Sequence, residues 1–88
     1  MIVDCIPMWL NNLFFSDREG EWDAILGRFI ARLPDDVVIV TNEIGMGVIP
    51  ADPLSRRYGI ALGLANARLA AAVDRVELMV AGIPLRVK

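Results

Sequence analysis

The chain has 88 residues, 56% of them hydrophobic, with 9 lysines and arginines against 11 aspartates and glutamates, one cysteine and no histidine. The net charge of −2 provides no basic surface for nucleic acid or anionic lipid, and no apolar run approaches the roughly 18 residues that a membrane-spanning helix requires. Without histidine, Ser-His and Cys-His nucleophile pairs and His-based zinc sites are excluded, and a single cysteine cannot form an internal disulfide, which fits a reducing cytoplasm.

The first third of the chain predicts a strand and two helices. Residues 1–3 are an apolar stub that ends at Asp4, as if a buried strand were entered halfway. A short helix is predicted from residue 5 to about residue 14, with a proline tolerated in its first turn. Ser16 and Glu19 have the spacing of a capping box. The helix that follows carries apolar residues at helical period: Trp22, Ile25, Leu26, Phe29, Ile30 and Leu33.

The middle of the chain predicts a strand, a loop and the start of a third helix. Residues 37–41 are all β-branched with no polar alternation, which is typical of a strand covered on both faces, as in a parallel sheet. Residues 43–51 contain two glycines and a proline and are predicted as a loop. Asp52 and Pro53 then indicate a helix start, because an acid at the N-cap is followed by proline at the first helical position.

The last third predicts a long helix and two strands. The helix runs to about residue 73, and one side of it carries Leu54, Tyr58, Leu62, Ala65, Leu69 and Ala72. Residues 75–81 are predicted as another strand, residues 82–84 as a turn, and residues 85–88 as an antiparallel return.

Strands that alternate with helices indicate βαβ units, and hence an α/β class with helices on the faces of a parallel sheet. The length allows one domain. The hydrophobic fraction of 56% nevertheless exceeds the ~45–50% typical of globular proteins. We therefore expect part of the apolar surface to stay exposed, or to be covered by chain that this sequence does not contain.

Acidic residues follow two of the predicted strands. Asp4 ends the first strand, and Asn42 with Glu43 follows the second. Ligands of open α/β sheets bind beyond the carboxyl ends of the strands. Two carboxylates at neighbouring strand ends can hold Mg²⁺, directly or through water, or position a nucleophile. The alternative for either acid alone is a helix cap or a solvated loop residue.

Two glycines and two arginines near the second acid are candidates for phosphate binding. Gly45 and Gly47 can let backbone N–H groups approach an anion, although an ordinary turn is the commoner explanation for such a pair. They lack the GK[ST] ending of a phosphate loop, a motif that occurs nowhere in this sequence. Arg56 and Arg57, in the first turn of the next helix, either add cations near that loop or form a solvated helix face.

Three further side chains are weaker candidates. Asn66 is polar on a helix rich in alanine and leucine, and it is a candidate for contact with a ligand or a partner. Arg68 on the same helix is explained equally by solvation. Cys5 is more commonly a small buried hydrophobic residue than a reactive thiol.

The segment from Val40 to Pro50, Val-Thr-Asn-Glu-Ile-Gly-Met-Gly-Val-Ile-Pro, resembles the signature loop of the bifunctional adenosylcobinamide kinase / adenosylcobinamide-phosphate guanylyltransferase family. The resemblance covers essentially the whole chain, and the Asn-Glu-x-Gly-x-Gly-x-x-Pro pattern is its specific part. It extends on both sides of that loop to Val3, Asp4, Cys5, Trp9, Leu10, Asn12, Leu13, Leu54, Arg56, Gly63, Asn66, residues 68–72, Asp74, Val76, Val80 and Gly82.

This resemblance implies a P-loop NTPase fold of the RecA-like kind, with three layers and a mostly parallel sheet. It implies an enzyme of cobalamin biosynthesis that phosphorylates the aminopropanol hydroxyl of adenosylcobinamide and then transfers GMP from GTP, using ATP or GTP with Mg²⁺. Asp4 would stand where the family keeps a Walker-B-like acid near nucleotide and Mg²⁺, with Glu43 as a second catalytic residue. The implied nucleotide- or substrate-binding residues are Asn42, Gly45, Gly47, Arg56 and Asn66.

The same resemblance indicates what this sequence lacks. The family's Walker A loop precedes the strand that ends at Asp4, and neither that loop nor the histidine that carries the guanylyl group is present. Residues 1–88 are therefore expected to be the C-terminal half of a P-loop kinase and nucleotidyltransferase domain. Gly59 and Ile60 also replace an Arg-Asp pair of the family, which places a glycine inside a helix at a cost of about 1 kcal/mol relative to alanine.

Two hypotheses follow for what the chain does. In the first, it is a fragment or split gene product of this enzyme and is inactive by itself, because the groups that position phosphates are missing. In the second, it is a non-catalytic remnant or module that assembles with a separate N-terminal chain or with copies of itself, since a strand without neighbours leaves an open edge. Neither hypothesis involves nucleic acid or a membrane span.

Overall fold

The computed structural model describes residues 1–44 and 51–88, and in these residues the chain has an α/β architecture. Its first strand, β1 (Ile2–Asp4), pairs in parallel with β2 (Val38–Val40). The register places Asp4 opposite Val40, so the two strands end together. Their carboxyl ends therefore lie at the same edge of the pair.

In residues 1–44 and 51–88, helices cover one face of the β1–β2 pair and leave the other face open. Val3 and Ile39 pack against the helical core. Because side chains alternate along a strand, Ile2, Val38 and Val40 point to the opposite face, where they are 73%, 58% and 41% exposed. The prediction of a strand at this position is confirmed, but the prediction that both of its faces are covered is wrong for the described residues, because the helices pack on one side alone.

Two helices follow β1, as predicted. They are α1 (Ile6–Phe15) and α2 (Trp22–Ile30), separated by a short 3₁₀ turn (Glu19–Glu21). The predicted capping box is wrong: Ser16 closes the C-terminus of α1, and the N-cap position of α2 is Glu21, which makes no side-chain capping bond. The physical reason is that α1 extends far enough to use Ser16 at its own end, so this serine is not available to start the next helix.

The third helix, α3 (Pro53–Ala72), begins where the sequence predicts. The carboxylate of Asp52 accepts a hydrogen bond from the amide of Ser55 at 2.9 Å, which confirms the predicted N-cap. Both α1 and α2 pack against α3. The buried core consists of Ile6, Leu10, Leu13, Leu26, Ala61, Leu62, Ala65 and Leu69. In residues 1–44 and 51–88, α3 included, no helix has the length and apolar character needed to span a bilayer.

The last two strands form a hairpin. β3 (Glu77–Val80) pairs antiparallel with β4 (Ile83–Arg86), which confirms the predicted return of the chain. The turn is one or two residues earlier than predicted: Ala81 and Gly82 have positive φ angles of 51° and 75°, and Ile83 is already in the strand. A turn this short closes at little entropic cost. In the described part of the chain, the strands form two separate two-stranded sheets, which differs from the single parallel sheet predicted.

Candidate functional site

The predicted acids lie at the edge where β1 and β2 end. Asp4 is the last residue of β1, and its partner Val40 is the last residue of β2. Glu43 follows Val40 by three residues, and the side chains of both acids are exposed. The structure thus places Asp4 at the carboxyl edge and Glu43 just beyond it, the location expected for ligand-binding residues of a parallel sheet.

Asn66 of α3 binds the two residues that follow β2. Its Nδ2 donates a hydrogen bond to the carbonyl oxygen of Asn42 at 2.8 Å. Its Oδ1 accepts a hydrogen bond from Oγ1 of Thr41 at 2.6 Å. The sequence suggested Asn42 and Asn66 as separate ligand-binding residues, and the structure joins them to each other.

Ile44 extends this contact along α3. A Cβ atom placed on Gly59 would lie 3.5 Å from Cδ1 of Ile44, so the isoleucine side chain lies directly over the glycine. Gly59 and Asn66 are seven residues apart, which is about two helical turns and therefore the same side of α3. Residues 41–44 thus lie against one side of this helix.

The two arginines in the first turn of α3 have different surroundings. Arg57 is paired, because its Nε lies 3.2 Å from Oε2 of Glu19. Arg56 is exposed and lies close to the N-cap of the helix. The pKa of the Asp52 carboxyl is held below its usual value, mainly by the hydrogen bonds from the amide and hydroxyl of Ser55, with a smaller contribution from the charge of Arg56. Of the two predicted cations, Arg56 is the better placed to meet an anionic ligand.

A shallow apolar groove lies between α1 and the start of α3. It has a volume of about 170 Å³ and is lined by Asn11, Phe14, Phe15, Leu54, Ser55 and Tyr58. The Tyr58 hydroxyl donates to the carbonyl of Pro7 at 3.2 Å, and its ring meets that of Phe14 edge-on at a centroid distance of 5.6 Å. Burial, and secondarily the nearby Cys5, raises the pKa of the Tyr58 phenol. Tyr58 therefore ties α1 to α3, beside a partly buried free cysteine.

The residues available for a metal ion are few. Within residues 1–44 and 51–88, no group of three or more acidic or cysteine side chains is arranged to hold one. Mg²⁺ that is bound with a nucleotide needs only one or two protein carboxylates, since phosphates and water supply the other ligands. Asp4 meets that requirement, whereas the described residues do not form a metal site made of protein ligands alone. Gly45 and Gly47, predicted to approach an anion, lie outside the described residues.

Comparison with known proteins identifies the family. The family model described as cobinamide kinase / cobinamide phosphate guanyltransferase matches residues 1–87. The chain belongs to this family. The resemblance stated from the sequence is therefore confirmed, and the match includes both strand-end acids, Asp4 and Glu43.

Curated relatives agree with this assignment. The chain is 38% identical over 92 residues to the bifunctional adenosylcobalamin biosynthesis protein CobP of Pseudomonas aeruginosa. It is 38% and 36% identical over 104 residues to the bifunctional adenosylcobalamin biosynthesis proteins CobU of Salmonella typhimurium and Escherichia coli. Each comparison covers 100% of this chain but only 53%, 58% and 58% of the relatives, respectively. The chain thus spans little more than half the length of these members of the cobinamide kinase family.

Several contacts among the described residues were not predicted from the sequence. They include the bond of Thr41 to Asn66, the packing of Ile44 on Gly59, and the ion pair in which Arg68 donates to the side chain and carbonyl of Asp23. The sequence explained Arg68 equally well by solvation, because its partner is 45 residues away. For Asn66, the one available signal was a polar side chain in a helix rich in alanine and leucine.

Proposed function

We propose that this chain carries part of the active site of an enzyme of cobalamin biosynthesis, which phosphorylates adenosylcobinamide and transfers GMP from GTP to the phosphorylated product. The observation that carries the proposal is the family match over residues 1–87. The bifunctional relatives of Pseudomonas aeruginosa and Salmonella typhimurium, which match this chain over its whole length, support it.

Asp4 and Glu43 are the proposed catalytic residues. At the end of β1, the carboxylate of Asp4 can hold Mg²⁺ together with the phosphates of ATP or GTP, in the manner of a Walker-B acid. Such an ion neutralises charge that develops on the transferred phosphoryl group. Glu43, beyond the neighbouring strand, can accept the proton of the attacking hydroxyl. The proposed nucleotide- or substrate-binding residues are Asn42, Gly45, Gly47, Arg56 and Asn66.

The groups that bind phosphate most strongly are missing from this sequence, which has no GxxxxGK[ST] segment and only one lysine. That residue, Lys88, is engaged elsewhere: its Nζ donates to the carbonyl oxygens of Ala70 at 2.8 Å and Val73 at 2.6 Å. Phosphoryl transfer depends on positioning and on electrostatic stabilisation of phosphates. We therefore expect no turnover by the chain alone, and further polypeptide must supply these groups.

The uncovered face of the β1–β2 pair supports a larger fold. Ile2, Val38 and Val40 form an apolar surface that the described helices leave exposed. In the proposed complete protein, additional strands and helices from an N-terminal half that carries the Walker A loop would cover this face. The result would be a three-layer, mostly parallel sheet of the P-loop NTPase type.

A second candidate function is a non-catalytic assembly module that binds a separate chain or copies of itself. The hairpin favours it, because both β3 and β4 expose large apolar side chains. Those residues are Met79, Val80, Ile83 and Leu85, each between 49% and 65% exposed. Exposed apolar patches of this kind mark surfaces that bind other proteins.

A chimeric enzyme tests the proposed function. The matching part of the Pseudomonas aeruginosa relative would be replaced by this chain, and conversion of adenosylcobinamide with ATP or GTP would be followed by chromatography. We expect turnover that falls by about 100-fold or more in D4N and in E43Q, the loss that general acid–base and ion-binding groups typically produce. D17N is the matched control, because Asp17 is an exposed acid away from this edge and asparagine tolerates its positive φ of 59°. A folded chimera without activity, or one in which D4N and E43Q are as active as D17N, would contradict the proposal.

A further inference from the structure

Thr41 and Asn42, the two residues that follow β2, are both hydrogen-bonded to the side chain of Asn66. The carbonyl of Asn42 can only accept a hydrogen bond, so the group of Asn66 that faces it at 2.8 Å must be the donor Nδ2. The other end of the amide, Oδ1, then faces the hydroxyl of Thr41 at 2.6 Å, which donates to it. Both ends of the amide are thus matched, and the orientation of Asn66 follows from the chemistry of its partners.

The second anchor of this segment lies further along α3. Ile44 packs over Gly59, about two helical turns from Asn66, and two turns of helix rise about 10 Å. Two or three extended residues span about 7–10 Å, so the residues from 42 to 44 can bridge the two anchors. The chain therefore runs along α3 from Asn66 towards the start of the helix.

Glu43 lies between these two anchors. Its neighbour on one side is bonded to Asn66, and its neighbour on the other side packs on Gly59. Because the backbone is held on both sides, the position of Glu43 relative to the end of β1, where Asp4 lies, depends on how α3 holds this segment. Hydrogen bonds at such an exposed place contribute little net stability, since water can replace them. The side-chain amide of Asn66 instead fixes the direction in which the chain leaves β2.

We propose that Asn66 is a positioning residue, whose amide fixes the exit of β2 on α3 and so sets where Glu43 lies at the carboxyl edge of the sheet. This role acts through the chain itself and is additional to the contact with nucleotide or substrate that the proposed function assigns to Asn66. Its meaning for catalysis rests on the proposed function, but the geometry that it predicts is measurable on the chain alone.

The test replaces Asn66 with aspartate and follows the backbone amide signals by NMR as a function of pH. The carbonyl of Asn42 and the amide of Glu43 belong to one planar peptide unit, so loss of the bond to the carbonyl shifts the Glu43 amide signal. In N66D above neutral pH, the carboxylate still accepts from Thr41 but cannot donate to Asn42. On protonation, its O–H can donate and restores the original pattern.

We expect the Glu43 signal of N66D to be shifted at pH 8 and to return towards its wild-type position on acidification. The midpoint should lie above about 4, the ordinary pKa of aspartate, because a carboxylate facing a carbonyl oxygen is disfavoured. Glu43 is the ionisable residue next to Asn42 in the bound segment, Asp4 ends the neighbouring strand, and the α3 residues one turn away, Leu62, Gly63, Leu69 and Ala70, are uncharged. Both acids, when charged, raise the pKa of the carboxyl group introduced at position 66.

Control variants separate positioning from general loss of structure. N12D introduces the same change at an exposed position of α1 and should leave the Glu43 signal in place. T41V, which removes the hydroxyl donor, should shift the side-chain amide signals of Asn66, and T41S should restore them. An unshifted Glu43 signal in N66D, or a shift without recovery at low pH, would overturn the proposal. No readout requires turnover, so this inference and the proposed function can fail independently.

Discussion

Three glycines lie inside α2 and α3, and the surroundings of each decide what an added methyl group would do. Replacing glycine with alanine in a helix interior stabilises by about 1 kcal/mol through backbone propensity. At Gly59, the new Cβ would lie 3.5 Å from Cδ1 of Ile44, which is ordinary van der Waals contact. At Gly63, the added Cβ would meet no heavy atom within 4 Å among the described residues beyond its own helical backbone. Both replacements should therefore stabilise by about 1 kcal/mol, with a small additional gain from the contact at Gly59.

Gly27 in α2 is the contrasting case. A Cβ there would lie 3.2 Å from Nη2 of Arg68, a tight distance that requires the guanidinium to move. Arg68 is held by Asp23, and an exposed ion pair of this kind contributes about 0–1 kcal/mol. Part of the propensity gain is thereby lost, so the expected order of stabilisation is G59A, then G63A, then G27A.

The assay is urea unfolding followed by tryptophan fluorescence and by helical circular dichroism, with G63A as the reference variant. In a background where Arg68 is replaced by methionine, G27A should recover the stabilisation seen for G63A. A G59A protein less stable than wild type would show that Ile44 does not pack on α3 as described. Equal stabilisation by G27A and G63A in the wild-type background would show that Arg68 does not restrict the space at Gly27.

Two further predictions concern the ends of α3. Because the carboxylate of Asp52 is stabilised by Ser55 and its pKa is lowered, its contribution is present above about pH 4 and is lost as the pH falls through the lower folded-state pKa. D52A should therefore unfold at lower urea concentration than wild type at pH 7, and the difference should shrink below about pH 4. D52N should keep most of the stabilisation by the cap. A difference between D52A and wild type that does not depend on pH would contradict the capping role. K88M should remove the cation from the carbonyls at the C-terminus of α3 and destabilise the folded chain by about 0.3–1 kcal/mol. The loss of stability should be smaller at high salt, and an unchanged urea midpoint would contradict this prediction.

Local signals in the sequence predicted local structure well. The start of α3 is an example, because Asp52 and the amide that it caps lie three residues apart and need no other element. The β-branched run of residues 37–41 likewise predicted a strand. It also predicted that both faces of the strand are covered, which is wrong for the described residues. Whether a face is covered depends on elements that are distant in the sequence. The capping box at Ser16 was wrong because a two-residue pattern does not show where the preceding helix ends.

In the candidate site too, the sequence predicted local features but not contacts between distant residues. The polarity of parallel strands is sufficient to place Asp4 at the edge where β2 ends, and this was predicted. The contacts of Asn66 were not predictable, because its partners are 24 and 25 residues away and meet it only when α3 packs beside β2. A polar residue on a helix rich in alanine and leucine indicated that Asn66 has a partner, but nothing in the sequence distinguished a ligand from another part of the chain.

The rate of phosphate transfer to adenosylcobinamide, measured with labelled ATP or GTP and Mg²⁺, tests most directly whether this chain carries part of the active site. The chain would be assayed alone and again mixed with the part of the Pseudomonas aeruginosa relative that it does not match, with that part alone as the control. We expect no product from either component and product from the mixture, because we propose that this chain contributes the strand-end acids but not the phosphate-binding loop. Product formed by the chain alone would contradict it.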